Sequence, residues 1–335
     1  MVKLIIALVV FATFGGAALA GAVDDAKQCG FKIDDWKIEI DDSEIEYCNK
    51  AIESGELSVE ELAVTYANRG LMYFSVGDLD RAFADVTYAL QLKPFLAKAY
   101  IGRGAVYQKK GKKHLAFADY SQAIRFEPDN AAALTARAGL LLNEGQIDMA
   151  IADYSAAISG KPEITVLLFF RSGAYMLKGN FESALVDSNE LIRLSPDNPL
   201  GFNSRALVLM AMGKVDEMIS DFEEVIRLTP NDPEAYVNKA KALNHKAWIL
   251  ATSGNADERD GPEAVRVALE AVAISNSPEI RDTLAAAYAE SGRFDDAVTE
   301  MDRAIEMMRQ AGMNDEIADA QSRLDLYRRR QPYRM

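Results

Sequence analysis

Residues 66–94 read YANRGLMYFSVGDLDRAFADVTYALQLKP, and the proline at the end decides the fold. The stretch before it has the apolar spacing of an amphipathic helix, yet a second helical stretch, FLAKAYIGRGAVY, begins at residue 95. Pro94 therefore closes one helix so that another can start. The same stop returns at Pro128, Pro162, Pro196 and Pro230, with a constant period of 34. Gly77, Gly111, Gly145, Gly179 and Gly213 keep that period, each standing half of it ahead of its proline. Every unit thus holds two helices, split by a glycine that can adopt the left-handed turn conformation and closed by a proline.

Small residues mark where the two helices approach. Gly70, Gly104, Ala138, Ser172 and Ala206 lie midway along the first helix; Ala82, Ala116, Ala150 and Ala184 lie in the second, with Met218 breaking the series. Tyr66, Tyr100 and Leu134, then Tyr73, Tyr107 and Tyr175, then Tyr120, Tyr154 and Phe222 supply the large partners. Large against small on antiparallel helices is hairpin packing.

With its YANRG, YIGRG and LTARA openings, residues 63–230 resemble the tetratricopeptide repeat family in its exported bacterial form, although Arg stands where the family usually has Leu. The resemblance implies an all-α fold, a right-handed α-solenoid of helix–turn–helix repeats. One pair buries too little to offset the ordering of its own chain, at about 1–2 kcal/mol per residue, so stability must come from stacking neighbours. The arginines have companions: Arg69, Arg103, Arg137, Arg171 and Arg205 precede Asp85, Asp119, Asp153, Asp187 and Asp221, always by a step of 16. Antiparallel pairing brings both to similar height, which predicts a structural ladder of ion pairs within or between units. In a seventh unit Leu284 replaces the arginine and Glu300 the aspartate.

The predicted organisation follows. Residues 1–20 read as a signal peptide, with MVK, an apolar run LIIALVVFATF and a cleavage site at Ala18-Leu19-Ala20; an uncleaved membrane anchor is the alternative reading of the same segment. Residues 21–60 form an irregular N-terminal cap with half a repeat, residues 61–230 five regular units, and residues 231–278 an enlarged sixth unit. The last is closed by Pro278, a step of 48 from Pro230, its extra length placed in two helical turns and the polar loop SGNADERDG. Residues 279–311 make the seventh unit and residues 312–335 a capping helix with the basic tail YRRRQPYR. Cys29 and Cys48 follow the export signal; in an oxidising compartment they would bond and staple the cap, worth about 3 kcal/mol.

A formal charge of −14 repels nucleic acid and anionic lipid, and no basic patch offsets it. The two histidines, His114 and His245, lie in different units, so no dyad or metal site is expected, and no phosphate loop or nucleophile motif is present. The reading is therefore no enzyme, no cofactor and no metal. In the resemblance the first helices line a concave face that holds peptides or helices. The side of those helices opposite the small residues presents Val64, Leu71, Phe74, Ile101, Gln108, Leu142, Asn143, Phe169, Met176, Asn203, Leu207 and Met210. Lys98 and Lys109 alone do not form the carboxylate grip of chaperone-binding members. The functional expectation is a periplasmic or secreted interaction scaffold for an envelope protein, with no membrane in the mature form. A regulatory or substrate-presenting subunit of an envelope enzyme complex, and self-association, are the alternatives.

Overall fold

A computed structural model describes Cys29 and residues 42–335, which contain sixteen α-helices and no strand. The expected all-α class holds. The predicted signal peptide, residues 1–20, lies outside the described residues. No helix among the described residues is long and apolar enough to cross a membrane.

The described residues form two compact units that divide between Asn180 and Phe181. In the first, α1 (Asp42–Glu53) precedes the helix pairs α2 (Val59–Ser75) and α3 (Leu79–Leu92), α4 (Ala97–Lys109) and α5 (Lys113–Phe126), and α6 (Ala131–Asn143) and α7 (Ile147–Gly160). Helix α8 (Val166–Lys178) packs on α7. In the second unit α9 (Phe181–Leu194) packs on α10 (Pro199–Ala211), which pairs with α11 (Val215–Leu228). Next come α12 (Pro233–Thr252) with α13 (Gly261–Ile274), then α14 (Pro278–Glu290) with α15 (Phe294–Ala311), and finally α16 (Asn314–Arg328).

The punctuation works through backbone chemistry. Gly77 takes φ +88° after α2, and the Asp78 amide donates to the Tyr73 carbonyl at 2.8 Å, satisfying an orphan acceptor of the helix end. Pro94, Pro128 and Pro162 each stand just past a helix end, after Lys93, Glu127 and Lys161, whose φ and ψ have left the helical region. Each proline then occupies the second position of a β-turn, as in Asn130 N–H to Glu127 C=O at 3.1 Å. The Asn130 carboxamide caps the next helix by accepting from Ala133 N–H at 3.0 Å. One proline thus ends a helix and aims the chain into the next.

Close packing falls at the small residues. A Cβ on Gly104 would lie 2.6 Å from the ring of Tyr120, which is fully buried in the first unit's core. Gly104→Ala should therefore cost about 1–3 kcal/mol by overpacking, against the gain in helix propensity alanine normally brings. Urea unfolding checks this; equal or greater stability in the variant would contradict the contact.

The enlarged unit differs from its expected form. Pro278 does not close a helix: it is the first residue of α14, capped by Ser277, while α13 ends at Ile274. First helices start at Pro199, Pro233 and Pro278, so the period of 34 lengthens to 45 at the enlarged unit. Helix α12 has 20 residues against 13 for α10, about two extra turns, and the rest is the Ser253–Asp260 connection. A proline with a serine cap before it reads as a helix start as readily as a stop, which is why its position alone misled.

The tail also folds back. Met335 N–H donates to Thr252 C=O at 2.9 Å, the Tyr333 ring lies 5.9 Å from Trp248, and Arg334 pairs with Glu290 at 2.5 Å.

Candidate functional site

The arginine ladder frames the first-helix face. Arg69, Arg103 and Arg137 each fork onto the expected carboxylate, Asp85, Asp119 and Asp153, with N–O distances of 2.7–2.9 Å. The third guanidinium nitrogen reaches back to the preceding second helix: Arg137 to Ser121 at 3.3 Å and Arg171 to Ser155 at 3.1 Å. In the second unit Arg205 forks onto Asp221 at 2.6 and 2.9 Å and also reaches Asn189. Each such arginine ties its own first helix to the second helix before it. The hydrogen bond from Arg103 to Asp119 is the largest influence raising this arginine above the usual guanidinium range, against its burial. Arg171 and Asp187 fall in different units.

The ladder continues where the interval fails. Lys239 occupies the arginine position of the enlarged unit, reaching back to Glu223 on α11 at 2.9 Å and forward to Glu270 on α13 at 3.0 Å. In the seventh unit Arg281, one turn before Leu284, pairs with Glu300, and Arg303 takes the other oxygen. Sequence reasoning missed both rungs. The backward step from Lys239 to Glu223 equals the regular arginine–aspartate step and was a usable signal.

The predicted face residues do not share one fate. Leu71 and Ile101 are only 2 % exposed and belong to the core, so both are removed from the candidate surface. Leu71 sinks against Gly102 of the next first helix, where a Cβ would stand 3.3 Å from its Cδ2. Gln108 is half-buried and its side-chain carbonyl accepts the Tyr120 hydroxyl at 2.9 Å, which commits it to its own hairpin. Val64, Phe74, Leu142, Phe169 and Met176 are half-buried, and Phe169 sits edge-on to Phe170 at 5.6 Å. Asn143 is exposed. Lys98 donates to Asn68 at 2.7 Å, and burial pushes its ammonium down to about 8. In the second unit Asn203 is half-buried, while Leu207 and Met210 are 45 % and 52 % exposed. These two apolar side chains, one turn apart on α10, are the open apolar part of the expected surface.

Helix α12 carries that surface on. Val237, Lys241, Asn244 and Trp248 follow at steps of four, three and four, one helical face. Lys241, Asn244, His245 and Trp248, with Glu279 and Asp282 of α14 and Glu316, Asp319 and Arg323 of α16, line a cavity of about 400 Å³. Asp282 and Arg323 form a bidentate pair at 2.6 and 3.1 Å, and the guanidinium lies over the Trp248 and Tyr333 rings. The broken interval after Pro230 hid this part of the face, though the period of α12 itself was readable. Among the described residues no group of three or more His, Cys, Asp or Glu is placed to hold a metal ion.

Residues 97–130 and 202–232 match the tetratricopeptide repeat family model. These two segments are repeats, one in each unit. No curated protein matches the chain. Among solved structures, the C-terminal part of a tetratricopeptide repeat-containing protein from Cytophaga hutchinsonii shares 18 % identity at a TM-score of 0.57, over 72 % of this chain and 93 % of that one. Pseudomonas aeruginosa pilF shares 17 % identity at 0.52, over 67 % and 96 %. Yeast Tom70 shares 16 % at 0.53, over 95 % and 66 %. At these identities the likeness establishes the tetratricopeptide architecture and nothing about partners.

Proposed function

We propose that the chain is a non-catalytic interaction scaffold which, after export and removal of residues 1–20, holds a peptide or helix of an envelope protein on the first helices of its repeats. Tetratricopeptide repeat proteins generally mediate protein–protein interactions, and the repeats in both units support the same class of role here. The observation that carries the reading is Leu207 and Met210, 45 % and 52 % exposed on the outward side of α10, with Val237 at 41 % on the next first helix. Large apolar groups left open on one face are what a partner covers, and methionine adapts to the shape of what it meets. The charged start MVK with the apolar run LIIALVVFATF, and the Cys29–Cys48 disulfide, support an oxidising compartment outside the cytoplasm.

Capture of the partner by the tagged, exported chain tests the reading. Leu207→Asp with Met210→Asp should leave helicity unchanged, because neither side chain is in the core, and weaken capture by about a hundredfold, as loss of two anchors would. Undiminished capture by the double variant would contradict the assignment of the face.

A further inference from the structure

We propose that the cavity between α12, α14 and α16 receives a basic, extended segment of the partner, carrying two or more Lys or Arg side chains beside an apolar one. The inference rests on the scaffold reading and adds the chemistry of what is held. Residues 181–335 contain 28 acidic against 18 basic residues, so 10 of the 14 net negative charges of the chain belong to this unit. Three carboxylates facing the cavity, Glu279, Glu316 and Asp319, are exposed and make no ion pair among the described residues. Glu279 and Glu316 lie in first helical turns, where the helix dipole alone would favour them, but Asp319 does not.

The excess of negative charge is felt inside the cavity. Burial, most of all, raises the Asp282 carboxyl despite its pairing with Arg323, and the charges of Asp319 and Glu279 push it further up. Arg323 shows what the face accommodates: a guanidinium on a carboxylate and over the Trp248 indole. The tail repeats that chemistry on the same helices, where Arg334 pairs with Glu290 of α14 and Tyr333 lies beside Trp248 of α12. Val237, one turn before Lys241, offers the apolar contact. Four carboxylates, Glu279, Asp282, Glu316 and Asp319, line the cavity against Lys241 and Arg323, so the lining is net negative; charge complementarity selects a cationic segment, and like charge rejects an acidic one.

The test uses the full chain and two capped eight-residue peptides, one alternating Leu and Lys, the other Leu and Glu, titrated by fluorescence anisotropy. The Leu/Lys peptide should bind at least about tenfold more tightly than the Leu/Glu peptide. Glu279→Gln with Glu316→Gln and Asp319→Asn should remove about tenfold of that affinity. Neutralising three other exposed acids of the unit, Glu182→Gln, Asp197→Asn and Asp257→Asn, should change it less than about twofold. Equal binding of both peptides, or an equal loss in the control variant, would overturn the proposal, because the attraction would then be diffuse. A doubling of solution mass that the cavity variant abolishes would overturn it too, by making the basic tail of a second copy the occupant. If Leu207→Asp with Met210→Asp abolishes partner capture while the cavity variant leaves it intact, the scaffold reading stands and this inference falls.

Discussion

Arg137→Ala lowers the stability of the first unit by about 3 kcal/mol, the cost of leaving a buried carboxylate without its partner. Asp153 is 7 % exposed and receives two hydrogen bonds from Arg137, both at 2.8 Å. The arginine itself is partly open, with 23 % of its side chain exposed, so solvent screens the pair and the estimate stays at the low end for buried ion pairs. Truncation also releases Ser121 and with it the tie to the preceding hairpin. Replacing both members, Arg137→Leu with Asp153→Leu, should cost less than the single change, because no charge is then stranded. Urea unfolding of the full chain measures both, and hydrogen exchange of α5, α6 and α7 locates the loss. A single variant within about 0.5 kcal/mol of the parent would mean the rung behaves as a surface pair.

Breaking the disulfide should cost a similar amount in a different place. Cys29 and Cys48 are joined at a sequence separation of 19 with both side chains fully buried, and the chain-entropy model assigns such a loop about 3 kcal/mol. Around it, Met72 packs against both cysteines and Asn68 donates to the Cys29 carbonyl at 2.6 Å. Cys48→Ser should therefore release α1 from α2 and leave the second unit untouched. Exchange protection should fall over residues 42–53 and persist over residues 181–335. Mass spectrometry of the exported, unreduced protein should show two hydrogens fewer than the dithiol. Two free thiols there would remove the staple from the account.

Much of the architecture was legible because the chain states it in local backbone rules. A glycine that must take positive φ and a proline that must end a helix act within a few residues, and repetition with a period of 34 makes them unmistakable. The Arg137–Asp153 rung was legible for the same reason, since a hairpin of constant length converts a fixed step into a contact. That logic stops at the enlarged unit. Once α12 gains two turns, Lys239 finds its forward acid at Glu270, well beyond the regular step, and Arg281 serves where Leu284 cannot. The cavity was beyond reach of any spacing, because it needs Arg323 of α16 against Asp282 of α14 and over Trp248 of α12. Leu71 shows a subtler limit: its helical face was read correctly, but only the neighbouring Gly102 decides that it sinks into the stack.

Site-specific photo-crosslinking in the exported protein tests the central claim, that the first-helix face is where a partner is held. A crosslinking residue at Met210 on α10 is compared with one at Leu269 on α13, positions of similar exposure at 52 % and 45 %. The account predicts a protein adduct from Met210 and none from Leu269, with the Met210 adduct lost when Leu207→Asp is added. An adduct from Leu269 with none from Met210 would place the partner on the second helices and contradict it.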